Sequence, residues 1–455
     1  MLRCMPHETQ QPPDKAPPRA VLVGVQLPGV TDEAHASSLA ELGRLAKTLG
    51  LSVVERVVQK RQALAAAAVI GEGKLKALAR LTGGRGVVPS GVPTERRRDA
   101  EAEPAEVETF DAAGAPASVV LIDHDISPSQ ARNLERATNA EVLDRTAVIL
   151  AIFQRHARSR AARLQVEIAR LGYLAPRLRE SGGGKDRQAG GIGGKGAGES
   201  QIELDRRKVR DRIAELRREL AAIEKDAATR RRRRAAQPTV AIVGYTNAGK
   251  SSLMRALTGS DLLVADQLFA TLDTTVRALQ PETTPRILVS DTVGFIKKLP
   301  HDLVASFRST LEEAREASLL VQVVDAADPA FPAQIDVTAK VLAEIDAADA
   351  ARLLVFNKID KLAEEQRTAL AQAYPDALLM SAKSPADVAG LHERIVEFFE
   401  REMVEDEILV PFARQRVVSE IHASCRVLAE DYDETGTRLR VRGRPEVVAR
   451  LRAAL

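Results

Sequence analysis

Gly244-Tyr245-Thr246-Asn247-Ala248-Gly249-Lys250-Ser251 decides the fold of this chain. It carries the paired glycines, lysine and hydroxyl of a phosphate loop. The apolar run Thr239-Val240-Ala241-Ile242-Val243 before it reads as a buried strand, and a helix is expected from about Lys250. That strand–loop–helix context separates the motif from a chance glycine-rich turn. Gly244 and Gly249 let the backbone curl so that successive N–H groups converge on phosphate oxygens, and the helix adds its positive end. In this reading Lys250 reaches the β- and γ-phosphates, and the Ser251 hydroxyl ligates Mg²⁺.

Two further motifs follow in order. Asp291-Thr292-Val293-Gly294 ends the apolar run that begins at Arg286. Asp291 is expected to hold Mg²⁺ through water, and Gly294 to offer its N–H to the γ-phosphate. Alone, this pattern is only a strand-end turn; its position after the phosphate loop gives it meaning. Asn357-Lys358-Ile359-Asp360 follows the run Leu353 to Phe356. The Asp360 carboxylate can accept from guanine N1–H and from the exocyclic amine; adenine offers neither and would leave it unpaired. The Lys358 stem would cover the base. Ser381-Ala382-Lys383 comes after the last core strand, where its backbone can touch the guanine carbonyl. The three motifs together imply a GTP/GDP site.

Between the phosphate loop and Asp291 lies Asp266-Gln267-Leu268-Phe269-Ala270-Thr271-Leu272-Asp273-Thr274-Thr275, where a switch loop must supply a threonine for Mg²⁺. Spacing does not choose among its three threonines. Phe295 stands where Ras and Gα proteins carry the glutamine that orients the attacking water. A phenyl ring cannot hydrogen-bond to water, so slow intrinsic hydrolysis is expected, with help from another residue or a partner.

The 455 residues suggest about three domains at roughly 150 residues each. With 3% aromatic residues and no Trp, the cores must be mostly aliphatic. Cys4 and Cys425 lie at opposite ends of the chain, outside any Cys/His cluster, which argues against a disulfide framework or a zinc site. No apolar run approaches the roughly 18 residues of a membrane span. The Pro-rich start lacks the apolar core of a secretory signal. A cytoplasmic protein with a disordered tail over residues 1–19 is expected.

Residues 20–144 read as a small α/β domain. Ala20 to Val25, Leu51 to Val58 and Ser118 to Asp123 are strand-like, and Leu39, Leu42, Leu45 and Leu49 mark a helix started by Thr31-Asp32-Glu33. Residues 83–118 are rich in Gly, Pro, Ala and charge and read as a flexible insertion. Residues 145–234 show two helical seams, Leu164, Ile168, Leu171, Leu174, Leu178 and Val209, Ile213, Leu216, Leu220, Ile223, separated by a glycine-rich stretch at 181–198. An antiparallel hairpin is expected. Residues 155–234 hold 23 Lys and Arg against 11 Asp and Glu, a polyanion-binding signature amid a net charge of only +3 for the chain. A solvated structural coiled coil is the plainer alternative. Residues 235–403 read as a doubly wound α/β domain with a mostly parallel sheet, and 404–455 as a small α+β domain.

These residues resemble the HflX family of phosphate-loop GTPases along nearly the whole chain. The resemblance is carried by Ser127-Pro128-Ser129-Gln130, Asn133-Leu134-Glu135, Val142-Leu143-Asp144-Arg145-Thr146, Leu164-Gln165-Val166-Glu167 and Tyr173-Leu174-Ala175-Pro176-Arg177-Leu178. Gly190-Gly191-Ile192-Gly193, Gly198-Glu199-Ser200-Gln201-Ile202-Glu203 and Asp205-Arg206-Arg207 continue it. Phe269-Ala270-Thr271-Leu272-Asp273 looks like the family's switch segment and favours Thr271 as the second Mg²⁺ hydroxyl. The resemblance implies a ribosome-stimulated GTPase of the large ribosomal subunit and its rRNA, associated with splitting or rescuing stalled ribosomes under stress, and expected to act as a monomer. Asn247 occupies a position at which some related GTPases use K⁺; a structural asparagine is the alternative. The 83–118 insertion, Gly194-Lys195-Gly196-Ala197 and Ser200 depart from the family pattern. Ribosome assembly, ATP-driven RNA remodelling and a non-hydrolysing scaffold are the competing functions. The second lacks a motif, because Gly71-Glu72-Gly73-Lys74 is too short for a phosphate loop.

Overall fold

The computed structural model describes residues 16–88, 115–181, 201–234, 237–259, 268–269, 275–297 and 308–455. Its internal contacts divide into two units, one of residues 1–152 and 172–209, the other of 153–171 and 210–455.

The first unit is built on a four-stranded parallel sheet, order β2-β1-β3-β4, of Arg19–Gln26 (β1), Ser52–Lys60 (β2), Val119–Ile122 (β3) and Glu141–Asp144 (β4). β1 and β3 are apolar on both faces because helices cover both, as parallel crossovers require. Asp32–Thr48 (α1) starts where the Thr31 hydroxyl accepts from Ala34 N–H. Pro128–Thr138 (α3) starts in a capping box between Ser127 and Gln130. Glu72–Thr82 (α2), α3 and β4 extend the sequence expectation. Of the expected insertion, 89–114 lies outside the described residues. Its flanks are tied down: Gly86 N–H donates to Ala137 O and Ala117 N–H to Leu81 O, both at 2.9 Å. The buried Arg145 guanidinium pairs with Glu41 and with Asp123, which also accepts from Ser38. A charge removed from water needs such partners.

Arg145–His156 (α4) leads to the two long helices, Arg160–Ser181 (α5) and Gln201–Arg234 (α6). Within the second unit, Leu164, Ile168 and Leu171 pack against Ile213, Leu216, Leu220 and Ile223. Arg160 pairs with Glu219 and Arg212 with Glu167. Partners that descend on one helix as they ascend on the other make the pair antiparallel, as the two seams predicted. Residues 182–200, which hold nearly all of the glycine-rich tip, lie outside the described residues.

The central sheet has six strands in the order β10-β9-β8-β5-β7-β6. They are Thr239–Gly244 (β5), Thr275–Ala278 (β6), Leu288–Asp291 (β7), Leu319–Asp325 (β8), Arg352–Asn357 (β9) and Leu378–Leu379 (β10). All pairings are parallel except β6 with β7. The sheet is thus doubly wound and mostly parallel. Lys250–Thr258 (α7), Phe331–Glu344 and Pro385–Arg401 are among its covering helices. The strands flanking β5 lead to opposite sides, so the crevice at its carboxyl end is the place where such sheets bind ligands. The chain ends in an antiparallel sheet, β11-β13-β12, of Val404–Pro411 (β11), Arg426–Tyr432 (β12) and Gly436–Gly443 (β13), with helices Arg416–Ser424 and Pro445–Ala453. Its core is Ile408, Val410, Ile421, Leu439, Val441, Val448 and Leu451.

Candidate nucleotide site

The phosphate loop leaves β5 and enters α7 at Lys250, as its sequence demands. Two glycines are required sterically. A Cβ at Gly244 would stand 2.2 Å from the Val323 carbonyl oxygen, and one at Gly249, whose φ is +97°, would stand 2.2 Å from Asn357 Nδ2. Asn247 also adopts the left-handed conformation, with φ 63°, which asparagine tolerates better than most residues.

Lys250 is only 6% exposed, and its Nζ donates to the Tyr245 carbonyl at 2.8 Å. Burial pulls its ammonium down to about 8, with Asp291 acting in the opposite direction. A cation so placed gains from an incoming polyanion. Ser251 Oγ donates to Asp291 Oδ2 at 2.8 Å, joining the start of α7 to the end of β7. These are hard oxygen donors, and they suit a small cation whose shell is otherwise completed by water and substrate phosphates. Among the described residues no cluster of three His, Cys, Asp or Glu could hold a metal without such help.

Thr292 Oγ1 donates to Ile242 O at 2.8 Å, so its hydroxyl is used to register β7 on β5. Gly294 lies over the phosphate loop: a Cβ there would come within 2.9 Å of both Lys250 Nζ and Thr246 Cα. The loop and the segment after Gly294 are bridged. Thr246 N–H donates to Phe295 O at 2.8 Å, and Phe295 N–H to Gly244 O at 3.1 Å. Lys297 N–H donates to the Tyr245 phenol at 2.7 Å.

At the base end, Asn357 Nδ2 donates to Ala248 O and its Oδ1 accepts from Ala382 N–H, both at 2.9 Å. Lys358, with φ 67°, donates from Nζ to Asn247 O and to Asp325 Oδ2. Ile359 opens a short 3-10 turn that includes Asp360. Asp360 accepts from Ser381 Oγ at 2.7 Å and from Lys383 Nζ at 3.3 Å. The Ser381 bond first, then Lys383, hold its carboxyl below the usual range despite partial desolvation, so it is ionised and able to accept.

The expected phosphate-loop, Asp291–Gly294, Asn357–Asp360 and Ser381–Lys383 residues therefore gather at the carboxyl ends of β5, β7, β9 and β10. Of the switch segment, Leu268 and Phe269 are buried, and Phe269 meets Phe153 edge to face with centroids 4.6 Å apart. Ala270, Thr271, Leu272 and Asp273 lie outside the described residues. Asp325, the Tyr245 phenol and Asp387, which accepts from Ser381 N–H at 2.8 Å, were missed from sequence. Only the place of Asp325 at the end of an apolar run could have signalled its role.

This doubly wound sheet, with a phosphate loop, a buried lysine and a guanine-type carboxylate at one edge, defines a phosphate-loop GTPase. Residues 239–358 match the family described as 50S ribosome-binding GTPase. Residues 156–234 match the GTP-binding GTPase middle region, and 36–88 with 104–154 the GTP-binding GTPase N-terminal family. A GTPase HflX of Gluconacetobacter diazotrophicus is 58% identical over 96% of this chain and 98% of its own. That of Escherichia coli is 37% identical over 92% of each. Among solved structures, a GTP-binding protein from Sulfolobus solfataricus in complex with GDP is 23% identical, covers 83% of this chain and 98% of its own, and has a TM-score of 0.41. The chain belongs to the HflX family of GTPases, and its reaction is the hydrolysis of GTP to GDP and phosphate.

Proposed function

We propose that this chain is a cytoplasmic, monomeric GTPase of the large ribosomal subunit that couples nucleotide state to splitting or rescue of stalled ribosomes under stress. The observation that carries this reading is the coexistence, on one chain, of a GTP site and a strongly basic helical pair. Lys208 on α6 is 73% exposed and Arg212 is 45% exposed. A cationic helical surface suits the phosphates of rRNA. The match to a family described as 50S ribosome-binding GTPase supports the same partner. Among the described residues no helix is long and apolar enough to cross a membrane.

In this reading Lys250 and the loop N–H groups hold the β- and γ-phosphates. Ser251 and Thr271 would ligate Mg²⁺, and Asp291 would hold it through water. Mg²⁺, when bound, neutralises charge developing between the β- and γ-phosphates. Gly294 N–H caps the γ-phosphate, Asp360 reads guanine, Lys358 covers its face, and Asn247 is a candidate contact for an activating K⁺. Water attacks the γ-phosphorus while its bond to the β–γ bridging oxygen breaks. No covalent intermediate is needed, because positioning and charge neutralisation supply the rate.

Phosphate release tests this reading. Purified large subunits should accelerate single-turnover GTP hydrolysis at least tenfold, whereas small subunits should not. Equal rates with and without large subunits would remove the ribosome from the account.

A further inference from the structure

The guanine motif sends one side chain out of its own loop. Lys358 Nζ donates to Asn247 O at 2.5 Å and to Asp325 Oδ2 at 2.7 Å. Both partners of the ion pair are largely shielded: the Lys358 side chain is 19% exposed and that of Asp325 17%. Salt and water screen such a pair less than one on the open surface. The Lys358 backbone is left-handed, with φ 67°, a conformation that costs a lysine free energy. Ordering its long stem costs rotamer entropy as well. Something must offset both costs, and the two bonds at Nζ are what the structure supplies.

Asp325 is itself held. It is the last residue of β8 and lies opposite Asn357 on β9. Ala326 N–H donates to Asn357 O at 2.9 Å, which ties the two strand ends together. Val324, Ala326 and Phe356 form one buried cluster beside them. The two carboxylate oxygens have separate partners. Oδ1 accepts from Ala327 N–H at 3.1 Å and caps the turn after β8, while Oδ2 accepts from Lys358. An asparagine would cap that turn equally well. Only the bond to Lys358 calls for a charge.

We propose that Asp325 is a positioning residue for GTP recognition: its Oδ2 pins the Lys358 ammonium to the phosphate loop, so that the lysine stem is set in place to receive the purine face. Asp325 acts through Lys358 and touches no part of the nucleotide. A stem ordered in advance spares binding the cost of ordering it. GTP and GDP carry the same base, so both gain alike. This inference rests on the nucleotide-site assignment above and is independent of the ribosome as partner.

The test uses the full chain with Asp325→Asn, Lys358→Met and the two combined. The asparagine keeps the turn cap and loses the charge; the methionine keeps an apolar stem and loses the ammonium. Asp325→Asn should weaken GTP and GDP equally, by about tenfold, the scale of one hydrogen bond to a charged group. In the Lys358→Met background the same change should cost under about twofold, the limit of ordinary additivity. A merely structural aspartate would cost the same factor in both backgrounds, and that result overturns the proposal. A second measurement needs no nucleotide: acetylation by acetic anhydride, read residue by residue by mass spectrometry. Lys358 should react several-fold faster in Asp325→Asn than in the parent protein, while the exposed Lys361 keeps its rate. An unchanged Lys358 rate overturns the proposal even if Lys358→Met binds too weakly to measure. A parent chain that binds no GTP, with Lys358 still released by Asp325→Asn, would instead overturn the site assignment and leave the ion pair standing.

Discussion

Asn357 Nδ2 donates to the Ala248 carbonyl at 2.9 Å, so the first residue of the guanine motif holds the phosphate loop in place. The same side chain accepts from Ala382 N–H. Asn357 is 2% exposed, and these bonds run through a dry region. Purine recognition and triphosphate binding are one mechanical unit. Asn357→Ala should weaken GTP and GDP equally, by about ten- to a hundredfold for two buried hydrogen bonds. Fluorescent-nucleotide titration checks this; a loss confined to GTP would place the effect at the γ-phosphate instead.

Asp360→Asn replaces an acceptor with a group that can donate. GTP affinity should fall about a hundredfold or more, because the guanine donors face an amide, and xanthosine triphosphate should bind better than to the parent protein. Competition between the two nucleotides gives the answer, and strict GTP preference in the variant contradicts the base-reading role.

The Asp360 carboxyl is depressed by the Ser381 hydroxyl and then by Lys383. A carboxyl with a lowered folded value keeps its charge as pH falls through the ordinary carboxylate range and loses it only below. The preference for GTP over ATP, whose bases do not titrate there, should therefore be flat between about pH 5 and 8. Ser381→Ala should weaken GTP several-fold and shift the onset of acid loss upward. Nucleotide titration at both ends of that range measures it, and a sloping preference in the parent protein would contradict the geometry.

The helical pair gives a stability contrast. Leu216 is fully buried between α5 and α6, so Leu216→Ala should cost about 2–5 kcal/mol. Arg212→Ala removes exposed, solvent-screened ion pairs with Glu167 and Glu215 and should cost far less than the loss of the buried leucine. Urea unfolding followed by far-ultraviolet circular dichroism separates the two, and comparable losses would mean that the ion pairs, not the seam, hold the helices.

Much of this architecture is legible in the residues. β5 is a continuous apolar run and β8 is one broken only by the buried Gln322, the pattern of central parallel strands covered on both faces. The seams of α5 and α6 are readable for a different reason: their apolar residues recur every three or four positions, the period of one buried helix face. β4 and β6 were not. Glu141–Asp144 and Thr275–Ala278 are four-residue edge strands, too short to show a period. The motif residues of the site could be named from sequence because each lies in a local pattern. The bonds that assemble them could not. Asn357 to Ala248, Lys358 to Asp325 and Thr292 to Ile242 join segments 30 or more residues apart, and only the strand order brings them together.

The central claim is that the nucleotide held at Lys250 and Asp360 governs how the basic helices meet ribosomal RNA. Co-sedimentation with purified large subunits tests it most directly, with a non-hydrolysable GTP analogue, with GDP and without nucleotide, at several salt concentrations. The account predicts strong binding with the analogue, weak binding with GDP, and a steep loss of binding as salt rises. Binding that is the same in all three nucleotide states, or indifferent to salt, would contradict it.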